Sequence, residues 1–233
     1  FIRSVAKKHG ITFSKPGNGV CHQLQLENFA KPGKTLVGSD SHTPTCGAMG
    51  MIAIGAGGLD VAVAMATGTY YLQCPSVVRV NLVGKKAKWA SAKDVILYIL
   101  QQLSVKGGVN KIIEYTGEGL KELSLTDRAT ICNMGAELGA TTSVFPTDEI
   151  TKEYLIQQGR EEDYVELKAD EDATYDEEIT VDLSKLVPLT AKPHSPDAVV
   201  PVSELKGMKI NQVVIGSCTN SSLPDMLKAA KIL

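Results

Sequence analysis

Short apolar runs alternate with amphipathic stretches along the chain. The run KTLVGSD at residues 34–40 ends in a polar loop, and SVVRVNLVG at residues 76–84 alternates apolar with polar positions. Both patterns predict β-strands. Apolar residues at helical spacing predict helices that begin at Asp60, at Ser91 and near Thr126. Strands and helices that alternate in this way predict an α/β fold class.

Residues typical of helix ends mark several of these helices. Residues 1–9 should be the end of a helix that Gly10 stops, because glycine readily adopts the left-handed conformation of a helix C-terminus. Asp60 and Ser91 are favourable N-cap residues. Asp94 places an acid in the first turn of its helix, where the helix dipole favours negative charge.

The helix near Thr126 carries two polar residues of interest. It lies in SLTDRATICNMGAELGATTSVFP and should end at glycine, before a β-branched run and Pro146. Asn133 and Glu137 are one helical turn apart in this segment. Residues at that spacing share one helix face, so we expect both side chains on the same side.

The last third of the chain is acidic at first and apolar at its end. Residues 161–179 hold many acids and should form a solvated surface helix and loop. The proline-bearing segment 189–205 should be an extended linker, because proline disfavours helix before it. A buried strand should end at Ile215, followed by a turn and a helix capped by Ser221 or Ser222.

Shifts in composition near Pro75 and near residues 189–200 suggest domain boundaries. We predict that residues 1–75 are the C-terminal part of one α/β domain. Residues 76–193 are predicted to be a second α/β domain, and residues 194–233 a linker and the start of a third. The chain opens on Phe1 and ends within a helical pattern, so we expect an internal piece of a longer protein.

Composition limits the classes of protein that this chain can represent. The formal net charge of −2, with 21% charged and 43% hydrophobic residues, is typical of a globular protein and gives no basic surface for nucleic acid. Five scattered cysteines without a Cys-x-x-Cys motif argue against a secreted disulfide framework and favour a reducing, cytoplasmic compartment. Residues 49–72 are nearly uncharged, but their glycines and Asp60 predict buried α/β core rather than a membrane span.

The segment GSDSHTPTC, residues 38–46, crowds an acid, hydroxyls, an imidazole and a thiol together. A serine-hydrolase triad is disfavoured, because adjacent side chains cannot contact one another in the required order and no Gly-x-Ser-x-Gly motif is present. A zinc site that uses His42 and Cys46 is disfavoured by the proline and glycine around them. Asp40 and His42 should therefore face one side of an extended segment, with separate partners, and Ser41 the other.

The remaining cysteines and His22 have different contexts. Cys218 lies in a polar turn before a helix, where unpaired N–H groups favour a thiolate that could act as nucleophile or soft-metal ligand. Cys74 and Cys132 are predicted to be small buried hydrophobic residues. His22 lies between apolar neighbours and is either a hydrogen-bonded core residue or a catalytic one.

Three segments together resemble a known family: GSDSHTPTCGAMGMIAIGAGGLDVAVAMATG, TDRATICNMGAELGATTSVFP and VVIGSCTNSS. In this order and spacing they are similar to the aconitase family of iron–sulfur hydro-lyases, over nearly the whole chain. The resemblance implies three-layer α/β/α domains of the family's iron–sulfur domain type. The run ICNMGAELGATTSVFP looks more like the aconitate hydratase branch, which interconverts citrate and isocitrate, than like the homoaconitate or 3-isopropylmalate dehydratases.

The resemblance also implies a cofactor. The family holds a 4Fe-4S cluster with three cysteines and leaves one iron open to bind the substrate as a Lewis acid. Cys218 matches the first of these ligands, and the remaining two are expected beyond residue 233. Asn133 matches a residue beside the cluster. Cys46 is then an ordinary small core residue.

Residue by residue, Asp40, Ser41 and His42 match the family's Asp-Ser-His segment. The resemblance implies that His22 pairs with Asp40 and Glu137 with His42 as catalytic acid/base pairs, while Ser41, with Asp40 and His42, contacts the substrate. A carboxylate beside an imidazole fixes its tautomer and raises its basicity, which suits proton transfer to and from a leaving hydroxyl.

The implied partners follow from the same resemblance. They are a small tricarboxylate substrate and the missing N- and C-terminal parts of the enzyme or a small subunit, since the family's catalytic serine and its neighbouring arginine are absent here. The expected location is the cytoplasm, or the mitochondrial matrix if the source is eukaryotic. An RNA-binding form without the cluster is the alternative from another class, and the near-neutral charge makes nucleic acid an improbable partner.

Overall fold

The computed structural model describes residues 1–233 and alternates helices with short strands. The helices are α1 (Ile2–His9), α2 (Cys21–Asn28), α3 (Gly58–Thr67), α4 (Ala92–Leu103), α5 (Leu125–Met134), α6 (Glu149–Gln157) and α7 (Leu223–Ile232). The strands are β1 (Thr35–Gly38), β2 (Ile52–Gly55), β3 (Ser76–Val83), β4 (Lys111–Thr116), β5 (Thr142–Val144), β6 (Glu177–Asp182), β7 (Leu189–Ala191) and β8 (Val199–Pro201). Short 3₁₀ helices link several of them, of which Thr43–Met49 and Gly135–Leu138 border the site described below.

The largest sheet has four parallel strands in the order β5-β4-β3-β6. The central strand β3 alternates in burial, so that Val78, Val80 and Leu82 are fully buried on one face. Helix α4 covers core residues of this sheet with Val95, Ile99 and other apolar side chains. Each such buried side chain stabilises the fold by about 1.5–3 kcal/mol. Parallel strands that alternate with helices confirm the predicted α/β fold class.

A smaller parallel sheet of β1 and β2 supports the Asp-Ser-His loop. Gly55, the last residue of β2, lies directly under that loop, because a Cβ there would be 2.7 Å from the carbonyl oxygen of Asp40. Gly38, the last residue of β1, lies equally close to Thr43, whose Oγ1 would be 2.5 Å from a Cβ. The missing side chains let the loop rest on the strand ends, which fixes the positions of Asp40 and His42.

A fully buried arginine joins α5 to the start of α6. Both terminal nitrogens of Arg128 donate to the carboxylate of Asp148, the N-cap residue of α6, at 2.9 and 2.6 Å. The guanidinium also donates to the carbonyl oxygens of Leu120 and Pro146. Its side chain is completely inaccessible to solvent and stacks over Phe145. Such a bidentate contact is strong and directional, so it fixes these two helices relative to each other.

Most helix ends agree with the sequence-based expectations. Gly10 ends α1 in the left-handed conformation, with φ 67°. Ser91 and Asp94 form a reciprocal capping box at the start of α4. Ser222 caps α7. The helix expected near Thr126 begins one residue earlier, after the N-cap Ser124.

Two local expectations are wrong. Gly57 is the N-cap residue of α3, and Asp60 lies in the first helical turn instead, where a carboxylate still interacts favourably with the exposed N–H groups. The acidic segment 161–179 contains no α-helix, only the 3₁₀ turn Glu161–Asp163. Its closely spaced acids repel one another at helical spacing, which opposes a regular helix.

The expected extended linker at residues 189–205 is an antiparallel hairpin of β7 and β8. The hairpin is attached to α4, since Gln101 Nε2 donates to the carbonyl oxygen of Val199 at 3.0 Å and the backbone N–H of Leu189 donates to Asp94 at 2.6 Å. Val199 is buried. The prolines bend the connection between the two short strands rather than extend it. The division into segments 1–75, 76–193 and 194–233 stays a prediction.

Two apolar stretches expected to be buried are exposed. Residues leading to Ile215 form no strand, and Val213 and Val214 are 69% and 82% exposed, because no other strand of this chain lies beside them to pair. In the stretch 49–72, the residues up to Ile54 are largely buried, but α3 buries none of its side chains. None of the helices has the length and apolar character needed to cross a bilayer.

Candidate active site

The loop Asp40-Ser41-His42 follows β1 and is held by its own hydrogen bonds. The backbone N–H of His42 donates to Asp40 Oδ1 at 2.8 Å, and Thr43 Oγ1 donates to the carbonyl oxygen of Asp40 at 2.7 Å. Thr45 Oγ1 donates to the carbonyl oxygen of His42 at 2.6 Å. The N–H of His42 is the main cause that lowers the pKa of Asp40 below its usual value, and His22 adds to it. Asp40 is therefore a carboxylate throughout the neutral range.

The structure brings His22 and Asp40 together, as the resemblance implies. His22 lies in the first turn of α2 with its side chain only 9% exposed, and its Nε2 is 3.0 Å from Asp40 Oδ1. Asp40 itself is more than half exposed. The imidazole is thus inside the protein, while the carboxylate that orients it faces the open side of the site.

His42 and Glu137 also approach each other, although not through one helix face. Helix α5 ends at Met134, and Glu137 lies on the 3₁₀ helix Gly135–Leu138, so the expectation of a shared α-helical face with Asn133 is wrong. A Cβ at Gly135 would be 2.4 Å from Ser143 Oγ, so glycine allows the end of α5 to pack closely against β5. Glu137 Oε1 still comes within 3.7 Å of His42 Nε2.

Ser41 completes the loop on its exposed side. Its Oγ is 3.2 Å from Nδ1 of His42, and the segment is a turn, so the expectation of an extended segment with Ser41 on the other side is wrong. The residue lines a cavity of about 440 Å³ together with Pro44, Gly55 and Thr141. None of His22, His42, Glu137 and Cys218 lines this cavity, so a role of Ser41 in substrate contact stays a prediction.

Cys218 lies in the turn between residues 216 and 221 and is attached to α5 through Asn133. The Asn133 side chain is fully buried, and its Nδ2 donates to Thr45 Oγ1 at 2.9 Å and lies 3.5 Å from Cys218 Sγ. Its Oδ1 accepts from Thr219 Oγ1 at 2.8 Å, and Thr130 Oγ1 donates to the carbonyl oxygen of Thr219. Asn133 thus joins the Asp-Ser-His loop to the cysteine turn.

The two histidines and the cysteine meet at one point. A ring nitrogen of His22, a ring nitrogen of His42 and Cys218 Sγ all lie within 4.8 Å of one another. The two ring centroids are 6.3 Å apart. Imidazole nitrogen and thiolate sulfur are donors that suit iron and zinc. The structure therefore gathers two imidazoles, each beside a carboxylate, and one thiol that is available to a metal.

The other four cysteines lie away from this meeting point or are buried. All five thiols are free, and Cys46 and Cys132 are buried. Burial raises the pKa of Cys46 to about 12, so this thiol is neutral and is a core residue, as predicted. The prediction of a buried Cys74 is wrong, because residues 69–75 form no regular element and leave the thiol exposed.

The donor set fits one corner of an iron–sulfur cluster. Such clusters are held by cysteine thiolates, and the site offers one thiol, Cys218, with the amide of Asn133 beside it. The sequence alone did not point to Thr45, Thr130 or Thr219, which hold Asn133 and the cysteine turn in place. Hydroxyl residues are too common for their presence in a sequence to mark such contacts.

The α/β scaffold thus places two imidazole–carboxylate pairs beside one thiol, an arrangement suited to acid–base chemistry and to metal binding. The chain belongs to the aconitase family: the family model described as "Aconitase family (aconitate hydratase)" matches residues 1–209.

Curated relatives are similar over the whole chain. The 3-isopropylmalate dehydratase large subunit 2 of Archaeoglobus fulgidus is 46% identical over 233 residues, which cover all of this chain and 56% of the relative. The mitochondrial aconitate hydratase of Schizosaccharomyces pombe is 45% identical, and the chain covers 31% of it. The mitochondrial homocitrate dehydratase of Saccharomyces cerevisiae is 44% identical, with 32% covered. The chain thus spans about half of the archaeal relative and about a third of the fungal ones.

Proposed function

We propose that the complete protein containing this chain is a hydro-lyase that interconverts citrate and isocitrate through cis-aconitate, by removing and adding water. The observation that carries this proposal is the meeting of His22, His42 and Cys218 within 4.8 Å, with Asp40 beside one imidazole and Glu137 beside the other. Dehydration needs a proton donor at the leaving hydroxyl and a positive centre near it, and this geometry offers positions for both.

The histidines are proposed to move protons at the hydroxyl of the substrate. Asp40 holds His22 through Nε2, so the imidazole keeps one orientation and one tautomer. Glu137 is 3.7 Å from His42, a distance that a small shift on substrate binding would shorten to a hydrogen bond. Each carboxylate stabilises the positive charge that its imidazole gains when it takes up a proton.

The loop residues are proposed to bind the carboxylates of a small tricarboxylate. Ser41 is exposed, and its hydroxyl can donate to a carboxylate oxygen. Asp40 and His42 flank it and limit where the substrate hydroxyl can lie. The three adjacent residues would therefore orient the bond that breaks relative to the proton donors.

The proposed cofactor is a 4Fe-4S cluster with Cys218 as one ligand and Asn133 beside it. When bound, the cluster supplies an open iron that polarises the substrate hydroxyl as a Lewis acid. The remaining two cysteine ligands and the base that removes the carbon-bound proton are proposed to come from the rest of the protein or from a small subunit. We propose the cytoplasm as its location, or the mitochondrial matrix for a eukaryotic source, since several relatives are named as mitochondrial enzymes.

A second substrate is favoured by a specific observation. The relative at 46% identity over the whole chain is named as a 3-isopropylmalate dehydratase large subunit. Isopropylmalate has the same hydroxyl and adjacent carboxylate but an apolar group in place of the third carboxylate. The residues at the meeting point would serve either substrate, because none of them selects between a charged and an apolar group.

Turnover of matched substrates by the complete protein, with its cluster reconstituted, tests the proposal. We expect conversion of cis-aconitate to citrate and isocitrate with a kcat/KM at least about 10-fold above that for the two competing intermediates, since the one from isopropylmalate lacks a carboxylate and the one from homocitrate is longer by one methylene. Higher turnover of the isopropylmalate intermediate would replace the first candidate by the second. No turnover of any of the three would contradict the hydro-lyase proposal.

A further inference from the structure

Helix α2, which carries His22, has none of the usual devices that hold a short helix in place. Its N-cap Val20 makes no side-chain hydrogen bond, it has no acid in its first turn and no basic residue in its last turn. The preceding residues 7–20 are almost entirely exposed. Isolated helices of this length are marginal in water, so α2 needs support from elsewhere in the fold.

That support comes from Arg160, which lies 130 residues further along the chain, beyond α6. One terminal nitrogen of Arg160 donates to the carbonyl oxygens of Leu26 and Glu27, at 3.1 and 3.0 Å, and the other donates to that of Ala30 at 2.6 Å. The carbonyl groups of Leu26 and Glu27 belong to the last turn of α2 and have no partner within the helix, and Ala30 lies two residues beyond its end. A guanidinium there also interacts favourably with the negative end of the helix dipole.

The guanidinium is in turn held by an acid. Asp163 Oδ2 accepts from Nε of Arg160 at 3.0 Å and lies 2.9 Å from a terminal nitrogen, while Lys31 Nζ is 2.6 Å from Asp163 Oδ1. Arg160 and Asp163 are each only 11% exposed at the side chain. Leu26 and Ala30, next to the contacted carbonyls, are buried in the core. The end of α2 is thus fixed at a defined place relative to the core.

We infer that Arg160 is a positioning residue for His22: it holds the C-terminal end of α2 so that the imidazole in the first turn of that helix stays on Asp40. The inference rests on the proposed function for its link to turnover, but not for the contact itself. If α2 moved by about 1 Å, the proton-transfer geometry would be lost, and misplacement of that size lowers rates by about 10²-fold.

The test compares three variants of the complete protein with histidines labelled for NMR. Arg160→Gln removes both the positive charge and the guanidinium group, and Arg160→Lys keeps only the charge. Lys31→Gln removes a contact to Asp163 but leaves all three carbonyl contacts of Arg160. We expect the ring signals of His22 to shift in Arg160→Gln, to shift less in Arg160→Lys and to stay in Lys31→Gln. The ring signals of His42 should stay in all three, because that loop is held by its own hydrogen bonds.

A residue with only a general stabilising role would lower the urea midpoint without moving the His22 signals of the folded protein, and that result would overturn the inference. If Arg160→Gln does not fold, Asp163→Asn replaces it. This change leaves the carbonyl contacts possible but frees the guanidinium, so a smaller shift of the same His22 signals is expected. Unmoved His22 signals in Asp163→Asn would then overturn the inference.

Kinetics separate this inference from the proposed function. In Arg160→Gln, kcat should fall by about 10²-fold, with KM changed much less, because Thr43 and Thr45 hold the loop that carries Ser41, the proposed substrate contact. Shifted His22 signals with unchanged kcat would overturn the link between positioning and turnover. A wild-type protein without turnover would contradict the hydro-lyase proposal instead, while the NMR result would still decide the role of Arg160.

Discussion

Replacing Asp40 by Asn in the complete protein is expected to lower kcat by about 10²- to 10⁴-fold, the usual contribution of a positioned acid–base group. Asp40 Oδ1 accepts from the backbone N–H of His42 and contacts His22 Nε2. Asparagine keeps the shape and one acceptor oxygen but removes the negative charge. Without that charge, His22 can adopt the wrong tautomer, and the imidazolium formed during turnover has no counter-charge.

The kinetic pattern and a matched control make this expectation specific. KM should change less than kcat, because the loop geometry is retained by Thr43 and Thr45. Asp170→Asn removes the same charge from an exposed loop and should leave both constants unchanged. The pKa of Asp40 is lowered, so this group stays ionised until the pH falls below the usual pKa of an aspartate. Acid should therefore not inactivate the wild type through Asp40 above that pH. A kcat in Asp40→Asn within about threefold of wild type would exclude a catalytic role for the His22–Asp40 pair.

Replacing Arg128 by Ala is expected to lower the free energy of unfolding of the chain by about 3–5 kcal/mol, because the change deletes a large, fully buried side chain and leaves its hydrogen-bond acceptors without a donor. Arg128 is inaccessible to solvent and donates to Asp148 and to the carbonyl oxygens of Leu120 and Pro146. The change also leaves a cavity beside Phe145. Urea unfolding followed by circular dichroism measures the difference.

Arg79→Ala is the matched control for this measurement. Arg79 also contacts an acid, but its partner Glu178 is 59% exposed and 3.6 Å away. Its loss should lower the free energy of unfolding by about 1 kcal/mol or less. Equal losses for the two arginines would show that burial of Arg128 does not set its contribution.

Local signals in the sequence predicted the helices well where the capping residues are themselves local. Ser91 and Asp94 cap α4 within one turn, and Ser222 caps α7 in the same way. A few neighbouring residues therefore determine where each of these helices begins. Helix α2 has no such signal, because its apolar residues follow no helical stripe and its end is held by Arg160 from a distant segment. A contact across such a separation cannot be inferred from local pattern.

The apolar run before Ile215 shows a case in which a clear local signal gave the wrong prediction. Its composition is typical of a buried strand, but a strand also needs a neighbour, and the structure provides none in this chain. The same holds for α3, whose apolar side chains remain exposed. Composition predicts which residues favour burial, and only the fold decides what covers them.

The residues of the candidate site were predicted mainly through the family resemblance. Local sequence patterns did not predict how these residues are arranged in space. Reasoning from single residues left His22 open between a core and a catalytic role, and the structure places it 3.0 Å from Asp40. Glu137 reaches His42 from a 3₁₀ turn rather than from the predicted helix face. Asn133 contacts both Thr45 and Cys218, because α5 packs against two segments that are distant in sequence. Residue spacing along the chain cannot predict such contacts.

The most direct test of the central claim is the spectroscopic signature of the cluster in reconstituted complete protein carrying Cys218→Ser. We expect the 4Fe-4S absorption, and the electron paramagnetic resonance signal of the chemically reduced cluster, to be lost together with turnover, because Cys218 is the thiol at the meeting point of His22 and His42. Cys74→Ser, which changes an exposed thiol, should keep both. A Cys218→Ser protein with the cluster signals and turnover of wild type would contradict the account.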